Sequence, residues 1–444
     1  MRRRNFLSST IAAPASAALL SSLRDEIGKL DIVSSHEHLL WEDERIAAQA
    51  GLFTLASHYL LNDAVSAGLP PAMAKTLEDP NIPLRERWTM FAPYYRAARF
   101  TGYGQAFRIA MKDIYGIAEV NVSTVEKAEA AIRAKNKPGL YEEVLHRRAR
   151  ILYGVLDDYW HGDPMRPDAR FFVLARKLDW FITPGNAAAL KSMERVTGVA
   201  VTSLAGLKSA MEKRLEQSIA QGMIALKSTL AYSREIRFNE VSEADAGRDF
   251  EALARDARRA PAGAARFTER PYRNLEDHMF HHAMRLAEAH RLPVQIHTGT
   301  LAGNSGWVEN TRPMHMQNLF NLYPNVTFDL FHIGYPYIHE VTVLGKIFPN
   351  VHVDFCWAHV LSPATARRAL SEMLDAMPYT KILGFGGDYR YVELTYAHAV
   401  MARENIARVL AEKVAEGWCT EADALEIAQA LLAGNTARLF PRKG

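Results

Sequence analysis

Apolar positions recur along the chain with two spacings. Short apolar runs read as buried strands, and longer stretches with apolar residues three and four apart read as amphipathic helices. The first strand-like stretch is 31–39, DIVSSHEHL. From 41 to 148 the pattern is largely helical, for example at 84–99 and 125–134, with a Gly- and Pro-containing break at 68–71. This predicts a helical insertion after strand one, placed either as a lid over the strand ends or as packed scaffold away from substrate.

A regular alternation follows. Residues 150–157, 178–183, 222–228, 292–299, 326–332, 351–357 and 381–388 read as strands two to eight. Helical patterns separate most of them, at 204–221, 244–258, 274–290, 314–322, 338–348 and 364–376. Residues 260–265 read as an Ala/Gly/Pro loop, and helices from 392 onward close the chain. Apolar strands alternating with helices imply a parallel sheet. Eight such units predict an α/β chain, a (β/α)8 TIM barrel with a helical insertion after strand 1, whose active site lies at the C-terminal strand ends. A doubly wound open sheet is the alternative, without the glycine-rich loop that a nucleotide-binding version needs.

The 444 residues are 48% hydrophobic and 23% charged, with a formal net charge of +3. This is an ordinary globular composition, and the charge is too small to indicate nucleic-acid binding. Cys356 and Cys419 are the only cysteines, so neither a disulfide framework nor a zinc–thiolate cluster is expected. Any metal must rely on His, Asp, Glu or Lys. The N-terminus, MRRRNFLSS, joins a basic cluster to an alanine-rich apolar run at 10–20, with Ala15 and Ala17 framing a candidate cleavage site. This layout resembles a twin-arginine export signal; the alternative is a frayed basic segment. Residues 1–22 are thus expected to be a signal peptide and 23–444 the barrel domain, with 41–148 its insertion. The protein would be periplasmic or exported, or cytoplasmic if the signal does not function. No other stretch approaches the ~20 apolar residues of a membrane span.

The candidate chemistry gathers at strand ends. His36 and His38 close strand one, and alternate residues of a strand share a face, so both imidazoles aim at one point and could bind a divalent metal. Lys227 ends strand four, His297 strand five, His332 strand six and Asp388 strand eight. In a closed barrel such residues converge on one mouth. Asp157, Asp158 and His161 follow strand two and could contact substrate, but polar loop residues are common and they stay outside the core set. Asp277, His278, His281 and His282 lie mid-helix with no further ligand nearby, and read as a solvated or packed face. Arg390 and Arg234 are candidates for holding a substrate carboxylate, each set against a simple loop ion pair. Tyr59 is a lid tyrosine or ordinary packing, and Trp357 is expected to line the mouth.

With these residues in place, the chain resembles the amidohydrolase superfamily of metal-dependent barrels, from Asp31 to about Tyr391. The resemblance implies that His36, His38 and Asp388 bind the more buried metal. His297 and His332 would bind a second ion or orient substrate and water. Lys227 falls where two-metal members carry a carboxylated, bridging lysine; unmodified, it would instead hold an anionic substrate. The cofactor implied is one or two divalent ions, zinc foremost. Such an ion lowers the pKa of its water to about 7, with Asp388 and His332 as the catalytic pair and Asp388 moving the proton to the leaving group.

His58, Tyr59, Gln295, His297, Asp388 and Arg390 also resemble the pattern of uronate isomerases. The stretch 331–337, FHIGYPY, with 351–354 resembles amidohydrolase-like domains fused to glutamine-synthetase-like proteins. The expected function is a metal-dependent hydrolase cleaving a C–N or C–O bond in a small carboxylate-bearing substrate. The alternatives are a sugar-acid isomerase or a nonoxidative decarboxylase, and, from a different class, a non-catalytic metal-binding protein. The expected partner is a small molecule rather than nucleic acid or membrane, with homo-oligomerisation left open.

Overall fold

The computed structural model describes residues 17–157, 168–256 and 271–442. Eight strands occur in chain order round one sheet: β1 Ile32–Glu37, β2 Ile151–Asp157, β3 Phe172–Lys177, β4 Met223–Ser228, β5 Val294–Ile296, β6 Phe328–Leu330, β7 Val351–Asp354 and β8 Ile382–Leu383. All neighbouring pairs are parallel. The ring closes through the segment beyond β8, where Ser35 N donates to Phe385 O at 2.9 Å and Asp388 N donates to His36 O at 3.0 Å. This is the expected (β/α)8 barrel.

The reason for closure lies in the side chains. Val155, Ala175, Ala225 and Leu383 meet in one buried cluster with Phe440, and the two alanines leave room for that ring from the C-terminal segment. The outer helices form as their patterns predict. Leu204–Ala220 is capped by Ser203, whose hydroxyl accepts from Gly206 N at 3.1 Å, and it buries Leu204, Leu207, Met211 and Leu215 at helical spacing. Val392–Ala415 is the longest helix, with both faces largely buried.

The insertion after β1 is helical, with elements from Glu42–Ala47 to Val125–Lys135 and a π-helical turn at Glu142–Arg148. Trp88, Phe91, Tyr95 and Phe107 form its aromatic core. Buried Arg45 pairs with Glu393 of the long C-terminal helix, and Tyr115 donates to the same carboxylate. These bonds dock the insertion, and they place the segment from Ser57 to Tyr59 over the barrel mouth.

One strand differs from the expectation. The chain at 178–183 is not a strand: β3 ends at Lys177, and Asp179–Ile182 is a short helix. The run 171–177 carries buried Phe172, Leu174 and Ala175, and it pairs with β2 and β4. Asp179 is instead held by Thr229, whose amide donates to its carboxylate at 2.6 Å. Short apolar runs do not separate strand from helix by period alone. Residues 1–16 of the expected signal, Asp158, His161 and the loop at 260–265 lie outside the described residues. Ala17–Gly28 is a helix that buries Leu23 and Ile27, and Arg24 pairs with Glu404 at 2.5 Å. No helix of the described residues is long and apolar enough to cross a membrane.

Candidate metal centre

β1 brings the first donors together. His36 Nε2 and His38 Nε2 are 3.3 Å apart, with the rings nearly perpendicular. Asp388 Oδ1 lies 3.7 Å from His36 Nε2 and 3.2 Å from His38 Nε2. Metal bonds of about 2.0–2.1 Å in tetrahedral geometry require ligand atoms roughly 3.3 Å apart, so this triangle has the size of one face around a single ion. Asp388 reaches in from an unusual backbone with φ of 56°. Its carbonyl accepts from the Tyr59 hydroxyl at 2.7 Å. Gly386 and Gly387 permit the approach of this segment, because a Cβ at the first would strike Ser35 and Cys356, and at the second the Glu37 carboxylate.

The tautomers favour a cation. Gln295 Nε2 donates to Ser35 O at 2.9 Å and to Asp329 Oδ2 at 3.2 Å, which turns its oxygen toward His36 Nδ1 at 3.3 Å. An acceptor there places the His36 proton on Nδ1 and leaves the Nε2 lone pair facing His38 and Asp388. Across the mouth, His332 Nδ1 faces the Cys356 carbonyl at 2.8 Å and His297 Nε2 faces the Thr300 carbonyl at 2.9 Å. Those nitrogens carry the protons, so His332 Nε2 and His297 Nδ1 present lone pairs to each other across 3.1 Å. His332 Nε2 is also 3.9 Å from Asp388 Oδ2. Facing lone pairs repel unless a proton or a metal lies against them, and burial opposes the proton. It pushes His36 and His297 well below the usual imidazole value, aided by the charge of Lys227 at His36 and by His332 at His297, and it pushes His332 to about 4. Burial also resists charge on Asp388, but the hydrogen bond and charge of His38, with His332 and His36, hold its carboxylate well below the usual range.

The opposite wall is cationic. Lys177 and Lys227 are cross-strand partners at the ends of β3 and β4. Lys227 Nζ sits 3.2 Å from the centre of the Phe331 ring, and burial lowers its pKa to about 8. Lys177 Nζ pairs with Asp157 Oδ2 at 2.8 Å. That same oxygen is 3.9 Å from His36 Nε2 and from His38 Nδ1. A cavity of about 540 Å³ opens here, with His38, Lys177, Lys227, His297 and Asp388 below and His58 and Tyr59 above.

Comparison with known proteins agrees with this arrangement. The amidohydrolase family model matches residues 241–442, which include His297, His332 and Asp388. The C-terminal part of the barrel is thus similar to the amidohydrolase family. Protein fluG of Emericella nidulans is 26% identical over 224 residues, 49% of this chain and 25% of that protein, so the match spans a quarter of the relative's length. Among solved structures, the uronate isomerase of Thermotoga maritima is 16% identical with a TM-score of 0.76, covering 96% of this chain and 98% of that one. The glucuronate isomerase of Caulobacter crescentus is 18% identical with a TM-score of 0.76, covering 99% and 97%. A proposed metal-dependent hydrolase from Lactobacillus casei is 17% identical with a TM-score of 0.67, covering 94% and 97%. At these identities the structures share the barrel fold, insertion included.

Not every expected site residue reaches the mouth. His36, His38, Lys227, His297, His332 and Asp388 converge as described. Tyr59 lines the cavity, but its hydroxyl is engaged by the Asp388 carbonyl. Trp357 is only 1% exposed and packs between Tyr59 and His332, with ring centres 4.8 and 5.1 Å away, so it supports the wall rather than lining it. Arg390 lines an adjoining cavity of about 420 Å³ with Glu78, Arg87, Glu129 and Arg133. Arg234 is a correction: it is buried away from the mouth, bonded to Glu276 at 2.9 Å and to Asp277. Its charge is matched inside the fold, which also accounts for Asp277 in the packed helix face.

Asp157 and Lys177 are the residues that sequence reasoning left out. Asp157 carries the same signal as the others, an acid closing an apolar strand. Lys177 was hidden by the misplaced third strand.

Proposed function

We propose that the protein is a metal-dependent hydrolase that activates water to cleave a C–N or C–O bond in a small carboxylate-bearing substrate. The observation that carries this reading is the set of convergent lone pairs. Those of His36, His297 and His332 converge beside the Asp388 carboxylate at spacings that suit a metal, and His38, His297 and Asp388 line the adjoining cavity. A closed structural zinc site would use four protein ligands and face no cavity. His36, His38 and Asp388 would hold the first ion, and His297 and His332 a second ion or the substrate. Bound there, a divalent ion such as zinc would supply a water of lowered pKa and a Lewis acid for the carbonyl under attack. Asp388 keeps an ionised oxygen directed at the site and so serves as the base that takes the proton and returns it to the leaving group. His332, held neutral by burial and oriented by the Cys356 carbonyl, steadies the charge that develops on the substrate oxygen.

A second reading has its own support. The similarity to uronate isomerases extends over nearly the whole chain, insertion included, and a sugar acid also bears a carboxylate. Metal analysis with a substrate panel separates the two. The purified protein should hold stoichiometric zinc and hydrolyse N-acyl amino acids or lactones, with activity lost on chelation and restored by zinc. Turnover of D-glucuronate to a ketose, without hydrolysis of any ester or amide, would replace the hydrolase by the isomerase. Protein that binds no metal and gains no activity with any added divalent ion would overturn both.

A further inference from the structure

We propose that His398, on the long helix Val392–Ala415, is a positioning residue that holds Asp388 at the metal centre. This rests on the metal-dependent reading above, in which Asp388 is a ligand and the base.

Asp388 stands in a backbone conformation that a side chain disfavours, with φ of 56°. Such a conformation persists only where its surroundings hold it, and both flanking peptides are held. The peptide after Asp388 is fixed by Tyr59, whose hydroxyl donates to the Asp388 carbonyl at 2.7 Å. The peptide before it is bonded on both edges. Its N–H, on Asp388, donates to the His36 carbonyl at 3.0 Å. Its carbonyl, on Gly387, faces His398 Nδ1 at 3.1 Å. A carbonyl only accepts, so Nδ1 carries the proton and donates. A peptide is a rigid plane, and turning this one is what would carry φ of Asp388 back to negative values. The turn would break both bonds.

Histidine at this place has a cost. His398 is fully buried, and its ring packs on Phe385 with centres 5.0 Å apart. Its Nε2 meets no hydrogen-bond partner among the described residues. A leucine would fill the position without burying an unpaired nitrogen, which is unfavourable. What histidine adds is the bond to Gly387. His359 provides an internal contrast. It is equally buried; its Nε2 donates to the Gly384 carbonyl at 3.0 Å, and its Nδ1 accepts from Asn405 Nδ2 at 3.2 Å. His359 therefore secures the same loop at Gly384, ahead of the two peptides that flank Asp388.

The test compares His398→Leu, His398→Asn and His359→Leu in two readouts. The first is the zinc affinity of the folded protein, by chelator competition. His398→Leu should bind zinc roughly ten- to a hundred-fold more weakly, the scale of losing an outer partner of a metal ligand. His398→Asn keeps an N–H donor near the place of Nδ1 and should restore most of the affinity. His359→Leu should lower the melting temperature and leave zinc affinity near wild type. The second readout is the crystal structure of each metal-free protein. Asp388 should keep its positive φ in wild type and in His398→Asn. In His398→Leu it should turn to negative φ, with its carboxylate withdrawn from His38. His398→Met takes the place of the leucine variant if that one does not fold. Unchanged zinc affinity in His398→Leu overturns the assignment, as does no recovery in His398→Asn or an equal loss in His359→Leu. Wild-type protein that binds no zinc removes the metal reading alone. The metal-free structures then decide the matter, and a positive φ retained in His398→Leu overturns the positioning role.

Discussion

Two buried polar clusters sit within the same barrel, and they differ in one respect. Around Arg234, each charge meets its opposite: the guanidinium bonds Glu276 and Asp277, and Asp277 also accepts from Asn239 N at 3.1 Å. At the mouth, like faces like. The lone pairs of His297 and His332 oppose each other at 3.1 Å. The first cluster is complete without a ligand, whereas the facing imidazoles of the second leave room for a cation. Burial alone therefore does not mark a functional site; incomplete pairing around a cavity does.

Exchanging one residue in each cluster should separate their effects. Asp388→Asn removes the charge that the mouth aims at its ligand. It should lower kcat/KM by roughly a thousand-fold while thermal unfolding of the metal-free protein shifts little. If activity survives, Asp388 is not the base. Arg234→Met should do the reverse. It leaves two buried carboxylates without their cation, and breaking such a pair costs about 3–5 kcal/mol. Denaturant unfolding should show that loss, while zinc content and KM of the folded fraction stay near wild type. A selective rise in KM would return Arg234 to the substrate site.

Glu37 sharpens the contrast, since it is a buried acid held by hydroxyls, Ser34 at 2.7 Å and Thr395 at 3.1 Å. Burial raises its pKa from 4.5 to about 8. The folded state thus holds this proton where the unfolded state has released it, so the stabilising term is complete below about 4.5 and is lost as pH rises through 8. Glu37→Gln mimics the protonated form. Metal-free Glu37→Gln should match wild type near pH 5 and exceed it in melting temperature near pH 9. Parallel curves across that range would show that Glu37 is ionised throughout. The smallest effect is expected at Tyr59. Tyr59→Phe removes the bond that steadies the Asp388 backbone, a loss on the order of 1 kcal/mol, read as a few-fold fall in kcat/KM with unchanged zinc stoichiometry.

Periodicity and strand ends carried a large share of this protein's design. The alternation of apolar strands and helices determined the eight-stranded barrel and the insertion, because each element's buried face is written in its own residues. The same reading placed His36, His38, Lys227, His297, His332 and Asp388 at one mouth, because a closed parallel barrel gathers its strand ends. The tertiary structure decided which charges face the cavity. Arg234 and Lys177 are both cations near strand ends. One finds Glu276 and Asp277 on a distant helix, and the other reaches the cavity only because β3 ends at residue 177. The backbone of Asp388, with φ of 56°, depends likewise on Tyr59 from the insertion and on two glycines passing close to β1 and β7. Pairing of charges and packing of backbone are relations between distant segments, so they are fixed only when the barrel closes.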